Sequence, residues 1–201
     1  MNFERNNLLK IAIIGAGVAG LSVASLLARA GHDVTIFEKN SKISEIGAGI
    51  QISPNGFCVL KEIGLSKSTI KNSISSNSIL ICDYQNGKKL LQFEQGSVLG
   101  NVNFRLMHRA DLIDILYRSA VDKKVRFKFG QTADAKSLSC KYSFVIAADG
   151  VHSKTRALLN PGQSKTERSD YFAWRATIPN KFNHHDGVRL TVAPKKHVVS
   201  Y

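Results

Sequence analysis

Residues 9–20, LKIAIIGAGVAG, constrain the fold of this chain more than any other stretch. A short apolar run breaks at Gly15 and gives way to a helical pattern, so a strand passes into a helix through Gly15, Gly17 and Gly20. Glycines at this spacing do three jobs: a tight turn at Gly15, close approach of backbone to a pyrophosphate at Gly17, and close helix-to-strand packing at Gly20. The helix N-terminus supplies unpaired N–H groups to the phosphates. Leu21, Ala24, Leu27 and Ala28 recur at helical spacing, and Gly31 follows as a C-terminal cap. Residues 33–38, DVTIFE, read as the next strand. Glu38 closes it, where an acidic side chain accepts hydrogen bonds from an adenosine ribose. A solvated strand end is the bland reading of Glu38 alone; with strand, glycines, helix and second strand in order, dinucleotide binding is the expectation.

A second acid-glycine pair stands far downstream, in VIAADGVHSKTR at residues 145–156. A buried strand ends there and polar residues follow, so the Asp149-Gly150 turn reads as a second half-site for a dinucleotide.

Between these points, residues 44–52 form a glycine-broken extended segment. Ser53-Pro54 starts a helix, with a cap followed by proline in the first turn. Val59, Leu60 and Ile63 form its apolar face and Gly64 ends it. Strand-like runs at 78–84 and 89–93 flank Asn86-Gly87, the strongest short hairpin signal. This hairpin interrupts the strand-helix alternation and is assigned to a second layer. Arg109 precedes a helix whose Leu112, Ile115, Leu116 and Ala120 face one way, with Asp111 at the positive end of its dipole. Residues 125–129 and 143–147 supply two more strands. Beyond Arg156 the chain becomes strand-rich, with candidates at 171–178, 188–192 and 197–201. The expected division is a domain over 1–160, including the hairpin near 78–94, and a second domain over 161–201.

Ile11 to Ala28 carries no charge and ends in Ala-Arg-Ala, like a targeting segment; three spaced glycines suit a turn better, and cleavage there would remove the phosphate loop. No other stretch is apolar enough to span a membrane. Cys58, Cys82 and Cys140 are odd in number and lack CxxC spacing, which argues against a disulfide framework or a zinc site and for idle thiols in a reducing compartment. His184-His185 has no acidic or cysteine partner at ligand spacing, so no metal is expected. The formal net charge of +13 is scattered along the chain, which argues against nucleic acid and leaves anionic small ligands or simple solubility as its meaning. A cytoplasmic protein is expected.

The glycine fingerprint with Glu38, the segment EIGAGIQISPNG, the stretch HRADLIDIL around Arg109, ADGVHSKTR and YFAWR together resemble the single-component FAD-dependent aromatic hydroxylases, in the manner of their salicylate hydroxylase-like members. The match runs from about Ile11 to Tyr201. The resemblance implies an α/β fold: a Rossmann-like FAD-binding domain of the glutathione-reductase type, with an inserted or appended β-rich substrate domain, here incomplete. It implies a monooxygenase that uses NADH or NADPH and O2 to hydroxylate a small aromatic such as a hydroxybenzoate or salicylate, a carboxylate among the options. Glu38 would hold the FAD adenosine ribose, the Gly49 region would lie near the flavin, and Arg109 would contact the ribityl and phosphate portion. Asp149 and Gly150 would serve FAD from the opposite side, and Arg156 would belong to the surface where NAD(P)H docks. Ala147 departs from the pattern, standing where a glycine is usual.

The resemblance also implies a later Gly-Asp motif and a closing helix, absent before Tyr201, so a truncated member is expected. A missing C-terminal half or a homodimer would be its protein partner. Two other readings stay open: a non-catalytic FAD or dinucleotide-binding fragment, and an NAD-dependent Rossmann oxidoreductase, against which the second acid-glycine pair argues. No catalytic side chain is assigned. His197, as a base for a phenol, and Arg175, as a partner for a carboxylate, are weighed against plain structural roles, which are preferred.

Overall fold

A computed structural model describes residues 8–43, 48–94, 104–162, 169–181, 184 and 187–201. Along the chain its elements begin with β1 (Lys10–Ile14), α1 (Val18–Arg29), β2 (Asp33–Phe37), β3 (Gly49–Ile52), α2 (Pro54–Ile63) and α3 (Ser66–Lys71). Next come β4 (Ile74–Ser76), β5 (Ser78–Asp83), β6 (Lys89–Glu94), β7 (Phe104–His108) and α4 (Arg109–Asp122). The series closes with β8 (Arg126–Lys128), α5 (Ala135–Ser139), β9 (Phe144–Ala147), α6 (Lys154–Leu159), β10 (Gly187–Ala193) and β11 (Lys196–Ser200). Two units result: Met1–Glu45 with Leu112–Ala173, and Ile46–Asp111 with Trp174–Tyr201.

The first unit is built on a parallel sheet in the order β8-β2-β1-β9. A central parallel strand is covered on both faces, and KIAII and DVTIF are apolar in nearly consecutive positions for that reason. Ile13, Ile36 and, from α1, Leu21 have no exposed surface, and each such burial stabilises by about 1.5–3 kcal/mol. Gly31, at φ +95°, lets the chain leave α1 in the left-handed conformation that ends a helix. From Leu112 onward α4 buries Leu112, Ile113, Leu116 and Ala120. Tyr117 meets Phe127 of β8 edge to face, 5.0 Å between ring centres. The expected apolar face is off by one residue at its centre: Ile113 is buried and Ile115 only half-buried.

The second unit holds two sheets, β11-β10-β5-β6 and β3-β7-β4. The β5–β6 pair is antiparallel, its turn carried by Gly87 at φ +67° and by Asp83, whose carboxylate accepts from the Gln85 N–H at 2.8 Å. This hairpin lies outside the parallel sheet of the first unit, in a sheet it shares with β10 and β11. α2 begins at Pro54 and ends at Gly64. Ser53 occupies the cap position, yet its hydroxyl bonds to the Asn55 side chain and not to the helix backbone. Leu60 and Ile63 are buried, whereas Val59 is exposed.

The chain does not divide at 160/161. β10 pairs in parallel with β5 along its length, Val188 opposite Ile79 and Leu190 opposite Ile81, so residues after Trp174 join the middle of the chain. Nor do residues 171–178 form a strand: they have no regular structure, and Trp174 is 98% exposed. Alternating bulky residues such as these form a strand only where a neighbouring strand takes up their backbone groups. The extended segment expected over 44–52 is a strand only from Gly49, and 44–47 lie outside the described residues.

Candidate functional site

In the first unit three loops leave the carboxyl ends of three adjacent parallel strands. Gly15 follows β1, Glu38 follows β2, and Asp149 comes two residues after the end of β9. Connections run to opposite sides of β1, a switch point at which an open α/β sheet leaves a crevice for a ligand.

The glycine loop is shaped by its neighbours. Gly15, at φ +103°, donates its N–H to the Phe37 carbonyl at 2.8 Å. A Cβ there would sit 2.4 Å from the Ala148 carbonyl oxygen, and one at Gly20 would sit 2.0 Å from the Gly15 oxygen. Only glycine fits either place. The Ala148 N–H in turn donates to the Ile14 carbonyl at 2.8 Å. The loop after β1 and the turn after β9 are therefore packed directly on each other, a contact invisible to sequence because 128 residues separate Gly20 from Ala148. Gly17 differs: a Cβ there would meet nothing within 4 Å. It is the N-cap of α1, and no side chain caps that end.

Glu38 reaches back over this loop. One carboxylate oxygen accepts from the Ala16 N–H and the other from the Asn40 N–H, each at 2.9 Å. Its backbone is fixed on both sides, the N–H donating to Lys128 and the carbonyl accepting from Gln131, both at 3.0 Å.

Asp149 organises the turn before α6. Its Oδ1 accepts from the Ser153 hydroxyl at 2.6 Å, and its Oδ2 from the Thr155 N–H and hydroxyl at 3.3 Å. Partial burial pushes its pKa up, but the hydrogen bonds from Ser153 and Thr155 outweigh this and hold the carboxyl below the usual range. Ser153 caps α6 by accepting the Arg156 N–H at 2.9 Å. Gly150 takes φ +79°. Asp149, Gly150, Ser153, Arg156 and Asn160 line a cavity of about 340 Å³. The half-buried Arg156 donates from its guanidinium to the carbonyl of exposed Val151 at 2.7 Å. Ser153 and Thr155 were missed in the sequence; a serine just ahead of a helical run was the signal available.

The second unit contains the other expected residues. Gly49 opens β3 opposite His108, and a Cβ on it would lie 2.3 Å from the Tyr201 ring. Close aromatic packing within the unit thus accounts for this glycine. Burial raises the Tyr201 pKa and the charge of Arg175 partly offsets that. Arg109 is the first residue of α4, its N–H donating to Ala48 at 3.2 Å. His197 stands on β11 opposite Val192, exposed. His184 bonds through Nε2 to the Ser200 hydroxyl at 2.8 Å, a structural tie.

Residues 13–56 match the family model of the NAD(P)-binding Rossmann-like domain. The chain is 31% identical to the 3-amino-4-hydroxybenzoate 2-monooxygenase of Streptomyces cremeus over 218 aligned positions, 96% of this chain and 53% of that protein. Among solved structures it is similar to the tetrameric form of 2-methyl-3-hydroxypyridine-5-carboxylic acid oxygenase, with 25% identity and a TM-score of 0.65 over 74% of this chain and 41% of that one. It is also similar to CtdE in complex with FAD, with 27% identity and a TM-score of 0.59 over 76% and 41%. The chain spans about half the length of the curated relatives it matches.

Proposed function

This chain belongs to the FAD-dependent aromatic monooxygenases, and we propose that its first unit holds the ADP portion of FAD for hydroxylation of a ring bearing a hydroxyl and a carboxyl group. One observation carries the proposal: the glycine loop, Glu38 and the Asp149 turn meet at the carboxyl ends of β1, β2 and β9, and the first and last are in direct contact. The residues fit a dinucleotide. Gly17 leaves space for a pyrophosphate beside uncapped N–H groups, and the dipole of α1 favours its charge. Glu38 would accept from the adenosine ribose.

Arg156 beside the 340 Å³ cavity would attract the phosphates of NADH or NADPH, helped by the net charge of +13. Gly150 allows the backbone to turn there without a side chain in the way. In the second unit, Gly49 and Arg109 remain assigned to the cofactor by the resemblance alone. When bound and reduced, FAD supplies the activation of O2 that hydroxylates the ring, and the protein's part is to bind, orient and exclude water. Relatives named for 3-amino-4-hydroxybenzoate and 2-methyl-3-hydroxypyridine-5-carboxylate share a ring with one hydroxyl and one carboxyl group, which supports that substrate class. Among the described residues no helix is long and apolar enough to cross a membrane.

The test is turnover of the FAD-loaded protein with NADH or NADPH under ¹⁸O2 and a panel of hydroxylated aromatic carboxylates. One labelled oxygen in the ring product is expected, with NAD(P)H consumption rising when the aromatic is added. FAD binding accompanied by hydrogen peroxide as the only product from every ring would overturn the proposal.

A further inference from the structure

We infer that the Glu38 carboxylate is a four-donor hub that sets the shape of the glycine loop before any nucleotide arrives, and that a ribose would occupy only the half of it left over. The inference rests on the proposed dinucleotide site for its second half; its first half stands on contacts within the protein. Ala16, between the first two glycines of the loop, gives its N–H to Oε2, and Asn40 gives its N–H to Oε1, each at 2.9 Å. The Glu38 backbone is pinned to Lys128 and Gln131, so the side chain reaches out from a fixed point. Gly15 is tied to the same strand end through Phe37. The first two residues of the loop are thus both held by the end of β2.

An ionised carboxylate accepts only, at about four lone-pair sites. Two are taken by the Ala16 and Asn40 N–H groups, one on each oxygen. One site per oxygen is left, which matches the 2′- and 3′-hydroxyls of a ribose, both of which can donate. Four donors converging on one group explain why an acid stands here and an amide would not serve. Glutamine has a single accepting oxygen, and its NH2 would confront an N–H or a hydroxyl donor. Aspartate is shorter by one methylene and would not span Ala16 and Asn40 from the same backbone position. Glu38 is in this sense a positioning residue for the phosphate loop as well as a ligand for the sugar. Its loss would weaken binding of a nucleotide that has no ribose hydroxyls at all.

The test compares ADP with 2′,3′-dideoxy-ADP on the full chain, wild type against Glu38→Gln, by calorimetry. The expected result is a loss for both ligands in the variant, roughly tenfold for the dideoxy compound, which corresponds to about 1.4 kcal/mol. Equal affinity of both proteins for dideoxy-ADP would confine Glu38 to the ribose and overturn the inference. A second measurement needs no variant. In the ¹⁵N–¹H spectrum of the nucleotide-free wild type, the Ala16 and Asn40 amide signals should move together as acidification protonates Glu38, while those of Ile13 and Ile36 stay still. Static Ala16 and Asn40 signals would also overturn it. If the wild type binds neither nucleotide, the dinucleotide reading fails and the amide titration alone decides the loop-holding role. The same titration decides it if Glu38→Gln does not fold.

Discussion

The two sheets that carry most of this molecule differ in how they meet water. From Ile11 to Ile14, no residue of β1 is more than 7% exposed, whereas every residue of β6 is exposed, Leu90, Leu91 and Phe93 included. The first is the middle of a parallel sheet covered on both faces; the second is the edge of a mixed one. A strand of the first kind fixes what attaches to its ends. The candidate site hangs from two such ends, β1 and β2, and from the end of β9, an edge strand whose residues are half-buried or exposed rather than buried as its sequence suggested. A strand of the second kind leaves its apolar side chains without cover within its own unit.

That contrast can be broken most directly by truncation. Ile36→Ala should cost about 2–5 kcal/mol in urea unfolding, because it empties a site with no exposed surface. Leu91→Ala should change stability by no more than about 0.5 kcal/mol. Similar losses at the two positions would mean that the edge strand is buried in solution. A smaller gap is expected between two glycines. Gly20→Ala forces a Cβ onto the Gly15 carbonyl and should cost about 1–3 kcal/mol together with nucleotide binding. Gly87→Ala meets open space and suffers only its φ of +67°, about 1–2 kcal/mol, with binding untouched.

Within the second unit, Gly49→Ala should destabilise, and Tyr201→Ala should relieve most of that cost, a coupling of about 0.5–3 kcal/mol in a double-mutant cycle. Additive effects would return Gly49 to the flavin as its reason for being glycine. The smallest effect is on pH dependence. The Asp149 pKa is depressed in the folded protein, so its contribution is fully present above the unfolded value near 3.9 and is lost as pH falls through the lower folded value. Urea midpoints from about pH 6 downward should therefore drop more steeply for wild type than for Asp149→Asn. Parallel curves would show that the Ser153 and Thr155 contacts do not hold the ionised form.

The same difference explains what could be read from the sequence. Continuous apolar runs mark buried parallel strands, so β1, β2 and the loop after β1 were legible, as were Gly31, Gly64 and the Asn86-Gly87 turn. β9 was legible as a strand, although it is an edge strand and not a buried one. Residues 171–178 resemble a strand by composition but have no paired neighbour, and composition does not report pairing. The unit boundary escaped for a related reason: the β5–β10 pairing joins residues more than a hundred positions apart. In the site, Gly15, Gly17, Gly20, Glu38, Asp149 and Gly150 were legible because each answers a local backbone or charge requirement. The Ala148 contact and the two N–H groups on Glu38 were not, since both arise only when strand ends are brought side by side.

The most direct test of the site is the affinity for FAD of wild type and Gly17→Ala, with the unfolding free energy of each measured alongside. Gly17 has open space at its Cβ position and an ordinary negative φ of −79°, so the substitution should cost the fold no more than about 1 kcal/mol. If that space belongs to the pyrophosphate, FAD affinity should fall tenfold or more, about 1.4 kcal/mol of binding free energy. Unchanged FAD affinity in a stably folded Gly17→Ala protein would contradict the account.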